Sequence, residues 1–186
     1  MIKKTLLTLL LSSYTLVTSA HNLMLGQPLP PVNVEKYGEV VLKGKEPQFV
    51  PWSSTQLAGK VRVIQALAGR SAAKEMNAPL MAALTAAQFP QQHYQTTSII
   101  NQDDAIWGTG SFVKSSAEES KKSFPWSSIV LDASGVVAQS WALPEKSSTI
   151  IVLDKQGLVI YIKQGALNDD QINQVLTLIQ THLTSS

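Results

Sequence analysis

The sequence predicts an α/β protein whose mixed sheet carries helices on both faces. Three observations carry that prediction. Val61-Arg62-Val63-Ile64-Gln65-Ala66-Leu67-Ala68 is a nearly continuous apolar run of β type, as in a strand covered on both sides. Helix-period stripes follow it at Met76, Leu80, Met81, Leu84 and Ala87, and close the chain at Ile172, Val175, Leu176, Ile179 and Leu183. Between them, short β-rich runs alternate with polar helical stretches and end in a hairpin pattern. The order reads as a β-hairpin, then β–α–β–α, then β–β–α. Parallel pairing is expected in the first half, with an antiparallel edge from the late hairpin.

The first element is an address. Lys3 and Lys4 precede an apolar run from Thr5 to Val17, followed by Thr18-Ser19-Ala20. This is the pattern of a secretory signal peptide cut after Ala20. The run is shorter than the roughly 20 apolar residues that span a bilayer, and no Cys follows it to carry a lipid. Residues 1–20 are thus expected to be the signal peptide and 21–186 one domain. The chain of 186 residues has 15 Lys+Arg against 13 Asp+Glu. Lys3 and Lys4 account for the difference, so residues 21–186 are formally neutral. At 15% charged, with no basic excess, the domain offers nucleic acid little purchase. No membrane contact is expected once the signal is removed. The count of zero Cys excludes disulfides, thiolate metal sites and thiol redox chemistry.

From His21 to Lys60 the chain is punctuated by glycine and proline. Tyr37-Gly38 reads as a turn feeding the strand Glu39-Val40-Val41-Leu42 in a peripheral hairpin. After the strand Val61–Ala68, Ser71 is expected to cap a helix running to about Gln88, bent at Pro79. Thr96–Asn101 forms the next strand and ends in the acidic turn Gln102-Asp103-Asp104. Ser115–Ser123 reads as a solvent-exposed helix. Ile129-Val130-Leu131-Asp132-x-x-Gly135-Val136 is then echoed 22 residues later by Ile151-Val152-Leu153-Asp154-x-x-Gly157-Leu158. Each copy reads as a strand and an Asp-x-x-Gly turn. Val159–Ile162 completes a hairpin, and Asn168 caps the last helix, with Asp169 and Asp170 suiting its dipole.

Several of these pieces together resemble the thioredoxin fold in its peroxiredoxin or TlpA-like branch. They are Gly26-Gln27-x-x-Pro30, Leu57-x-Gly59-Lys60-Val61, Phe124-Pro125 through Ala138, and Thr149–Asp154 with Gly157 and Gly165. More closely, Ala68-Gly69-Arg70, Ala73-Lys74-Glu75, Tyr94-Gln95-Thr96-Thr97, Asn101-x-Asp103-Asp104-Ala105-Ile106 and Pro125-Trp126-Ser127 resemble the YtfJ family of exported Gram-negative proteins. That resemblance implies a periplasmic location and supplies no reaction. Where thioredoxin-type enzymes place their nucleophilic Cys, this chain has Arg70-Ser71-Ala72-Ala73. Where they carry a cis-proline, it has Ser148.

The expected function is therefore a binding or adaptor module that has lost thiol chemistry, with an unknown periplasmic protein or a small anionic ligand as partner. Its expected contact residues are Arg70, Lys74, Asp103, Asp104 and Trp107. Arg70 and Lys74 beside a helix N-terminus suit an anion; alternatively Arg70 pairs with Asp103 or Asp104. The loop Ala105-Ile106-Trp107-Gly108-Thr109-Gly110 joins apolar side chains to flexible glycines, which suits a contact loop. An alternative is a cysteine-independent, metal-assisted enzyme using Asp103 and Asp104, with Asp132 as a further oxygen donor. His21, exposed as a new N-terminus, could chelate copper, and a two-histidine site would need His93 or His182 nearby. No cofactor motif, Gly-x-Ser-x-Gly, phosphate loop or His-Glu-x-x-His occurs.

Overall fold

The computed structural model describes residues 21–184. The expected signal peptide, residues 1–20, lies outside them. Seven strands form one sheet: β1 (Asn33–Lys43), β2 (Glu46–Ser53), β3 (Val61–Ala68), β4 (Tyr94–Asn101), β5 (Ser128–Asp132), β6 (Ser148–Leu153) and β7 (Val159–Gln164). Their order is β2-β1-β5-β4-β3-β6-β7. β3, β4 and β5 run parallel, and the remaining pairs are antiparallel. Parallel neighbours need crossovers, supplied by the helices α1 (Ser71–Ala87) and α2 (Gly110–Ser123). A short α3 (Val136–Trp141) and the terminal α4 (Asp169–Thr184) complete the fold.

Alternation along β3 sorts its side chains to two cores. Val61 and Val63 pack with Leu80 and Leu84 of α1 and with Val175 and Ile179 of α4. Ile64 and Ala66 face the other way, onto Val137 and Trp141 of α3 and onto Leu23, Trp52 and Leu57. The last three come from the segment before β1, from the edge strand β2 and from the turn before β3. Asn22 N–H donates to Trp141 O, and Trp141 Nε1 donates to Pro30 O at 2.8 Å.

Four local expectations need correction. Tyr37-Gly38 is a bulge within β1, where both residues have positive φ, and the chain reverses instead at Gly44. Ser71 is the first helical residue, and the cap position is Arg70, whose side chain makes no capping bond. The buried stripe of α1 is Ala73, Asn77, Leu80 and Leu84, with Ala87 exposed. Finally, the two Asp-x-x-Gly segments diverge. Asp132 Oδ2 accepts from Val137 N–H at 2.8 Å and starts α3, whereas Asp154 Oδ1 accepts from Leu158 N–H at 2.8 Å and turns the chain into β7. The same turn chemistry serves a helix once and a hairpin once. Asn168 does cap α4: Gln171 N–H donates to Asn168 Oδ1 and Asn168 N–H to Gln171 Oε1, a reciprocal box.

Candidate functional site

The parallel strands β3, β4 and β5 end side by side, with Ala68 opposite Asn101 and Asn101 opposite Asp132. Ligand sites of α/β sheets gather at this end. Gly69 allows the two loops to close: a Cβ there would stand 2.8 Å from Asn101 O and 3.2 Å from Ala105 Cβ. The chain following β4 therefore lies directly against the start of α1.

That approach brings Arg70 and Asp104 together. Arg70 Nη2 is 2.9 Å from Asp104 Oδ1, and Arg70 Nε donates to Asp104 O at 2.8 Å and to Oδ1 at 3.0 Å. The other carboxylate oxygen accepts from the backbone N–H of Lys146, in the loop leading to β6. Asp104 N–H in turn donates to Asn101 Oδ1 at 3.3 Å. One carboxylate thus ties together the start of α1, the loop after β4 and the approach to β6. Of the two sequence alternatives for Arg70, pairing with Asp104 is the one formed.

The other expected residues are placed differently. Lys74 lies one turn along α1, its N–H bonded to Arg70 O, and its side chain is exposed. Asp103 is exposed as well. Trp107 stands 98% exposed, with Ile106 at 58% and Phe112 at 74% beside it in sequence. Their backbone is held by turns: Thr109 N–H donates to Ile106 O at 2.9 Å and Gln102 Nε2 to Gly110 O at 2.6 Å. Phe112 was missed because α2 begins at Gly110, five residues before the polar run that announced it.

The recess at this end is small, about 20 Å³, and is lined by Asn101, Asp104, Asp132 and Ser147 among others. It has room for about one water. A larger cleft of about 170 Å³ lies away from these residues, between Pro28–Pro31, Leu57 and the turn at Gly157. Any contact made through Arg70 and Trp107 is accordingly a surface contact. Among the described residues no three His, Asp or Glu side chains are grouped to hold a metal ion. His21, His93, His182, Asp103, Asp104 and Asp132 are not assembled into such a set.

Two buried polar networks were not foreseen. Under α1, Asn77 Nδ2 donates to Ser148 Oγ at 2.7 Å and to Gln65 Oε1 at 3.0 Å, while its Oδ1 is buried without a partner. Ser148, at the expected cis-proline position, instead pairs with Leu67 and is buried, and the described residues contain no cis peptide. At the opposite end of the sheet, Arg62 is 6% exposed and donates to Leu57 O, Gln95 Oε1 and Thr97 Oγ1. Burial lowers its pKa, partly offset by the nearby Glu39 carboxylate. Polar residues on otherwise apolar faces, such as Asn77 on the α1 stripe, were the available signal.

Residues 23–182 match the family described as "Bacterial protein of unknown function (YtfJ_HI0045)". The chain is 52% identical over 162 residues to an uncharacterized protein of Haemophilus influenzae, covering 87% of this chain and 88% of that one. It is 47% identical over 165 residues to the uncharacterized protein YtfJ of Escherichia coli, covering 89% and 90%. The thioredoxin domain of a thiol-disulfide oxidoreductase from Bacteroides vulgatus superposes with a TM-score of 0.57 at 18% identity, covering 85% of this chain and 99% of that one. The architecture is therefore thioredoxin-like, in a chain without cysteine.

Proposed function

The chain belongs to the YtfJ_HI0045 family of bacterial proteins of unknown function, and we propose that it is a periplasmic binding or adaptor module that works without thiol chemistry. Its contact surface is the carboxyl end of β3 and β4, with Arg70, Lys74, Asp103, Asp104 and Trp107. One observation supports this reading above the others. The place of the redox nucleophile is taken by an Arg70–Asp104 clamp, and the loop that the clamp fixes presents a tryptophan almost wholly to water. Large exposed apolar side chains on a fixed loop are the usual anchors of protein contacts, because little entropy is lost when they dock. The metal-assisted alternative draws less support, since both Asp104 oxygens are engaged by Arg70 and Lys146.

The test is mild crosslinking in the periplasm followed by purification of the wild type and of the Arg70→Ala and Trp107→Ala variants. A partner retained by wild type and lost from both variants is the expected result. Equal retention by all three would refute this surface. N-terminal sequencing of the purified protein checks the location, with His21 expected as the first residue.

A further inference from the structure

The charges of this domain are divided along the strands. Lys60 precedes β3, and its Nζ reaches Gln91 O ahead of β4. Lys122 sits in the last turn of α2. Lys155 lies in the β6–β7 turn, its carbonyl bonded by Gly59 N–H and its Nζ donating to Leu183 O at 3.5 Å. Because β1 runs antiparallel to β5, its turn with Lys43 and Lys45 projects past the start of β5. All five lysines thus ring the amino end of the parallel strands. Among the described residues the acids near this end are fewer: Glu46 and Glu119 are exposed, Glu118 is paired with Lys114, Glu39 is half-buried and accepts from Ser128 Oγ, and Asp154 is buried in its turn. Formally neutral overall, residues 21–186 therefore carry a basic end.

Two aromatic rings stand in the middle of that rim. Phe124 and Trp126, 49% and 55% exposed, meet edge to face with centroids 5.7 Å apart just before β5. Their backbone is pinned from two elements, β4 and α2, and closed by a bond of its own. Gln95 Nε2 donates to Trp126 O at 3.1 Å, the buried Lys121 Nζ to Ser127 O at 2.6 Å, and Ser127 N–H to Phe124 O. Gln95 is itself fixed by the buried Arg62. Two cations taken out of water hold in place a turn whose rings remain in it, which is a preorganised anchor.

We propose that this amino-end rim docks an extended acidic segment of a partner protein, its carboxylates meeting the lysines and an apolar side chain meeting the Phe124–Trp126 pair. Charge complementarity selects the partner. Four strand spacings separate β1 from β6, a rim of about 19 Å, the reach of about six extended residues. This surface lies at the opposite end from Arg70 and Trp107 and does not depend on their role.

The probe is a fluorescein-labelled peptide of about eight Asp and Glu residues with one central Leu, long enough to cross the rim. Binding is read by anisotropy and by the Trp126 indole resonance. Binding that weakens with added salt, and falls about tenfold or more in Lys122→Glu and in Trp126→Ala, is expected. Ala72→Ser, in the exposed first turn of α1 at the other end of the sheet, should bind as wild type. The exposed Lys45→Glu serves as a second charge variant if either change disturbs the circular dichroism spectrum. Equal binding of the Asn/Gln analogue, unaltered binding by the variants, or uptake by phosphatidylglycerol vesicles without peptide binding would each overturn the proposal.

Discussion

At the scale of single residues, a few partly hidden polar groups carry more of the architecture than their number suggests. Asp104 is the clearest case, because one carboxylate satisfies the Arg70 guanidinium and the Lys146 amide. Asp104→Ala removes the carboxylate from Arg70 and from the Lys146 amide, leaving Arg70 only its bond to the backbone carbonyl of residue 104, and should cost about 1–3 kcal/mol in urea unfolding. It should also loosen the Trp107 loop, seen as faster amide exchange there. Tyr94 gives a second prediction. It is almost entirely buried, and burial pushes its pKa up to about 12 from 10.0, against the opposing hydrogen bond to Thr96. Below pH 10 the phenol is neutral in folded and unfolded chains alike. Between pH 10 and 12 only the unfolded chain releases the proton, so stability falls as pH rises, by up to roughly 2–3 kcal/mol. Tyr94→Phe should flatten that part of the pH–stability curve, and an unchanged slope would assign the loss elsewhere. From sequence, Arg70 was legible as part of this cluster. Asn77 and Arg62 were not, because a polar residue inside an apolar pattern does not announce its partners.

At the scale of elements, apolar periodicity located β3, β4 and the terminal helix well, because those segments bury the faces their patterns describe. It failed where turn chemistry has two outcomes. The Asp-x-x-Gly motif was readable twice, but whether a helix or a hairpin follows depends on the surroundings, and the first copy leads into α3, whose Trp141 is buried in one core cluster with Ile64 and Val130. Tyr37-Gly38 failed similarly, as glycine with positive φ serves a bulge as well as a turn. Here the bulge is demanding. A Cβ on Gly38 would stand 2.1 Å from Val50 O, in backbone that cannot swing away. Gly38→Ala should destabilise the protein by roughly 2–4 kcal/mol, measured by thermal or urea unfolding. Loss below about 0.5 kcal/mol would mean that β1 and β2 adjust their register freely.

At the scale of the molecule, a thioredoxin-like frame carries no cysteine, and its two ends differ in chemistry. The carboxyl end holds a clamp and an exposed tryptophan; the amino end holds lysines and a fixed aromatic pair. The frame was legible in the order of strands, turns and helices, and the absence of cysteine excluded thiol chemistry at once. The charge division was not legible, since lysines scattered from Lys43 to Lys155 gather only when antiparallel and parallel strands bring their ends together. The central claim, that the carboxyl end of β3 and β4 is a protein-contact surface, is tested most directly by a photo-crosslinking amino acid placed at position 107 in living cells. The same probe at the exposed Thr85 of α1 is the control. A discrete covalent adduct from position 107 and none from position 85 is the predicted result; no adduct from 107, or the same adducts from both, would contradict it.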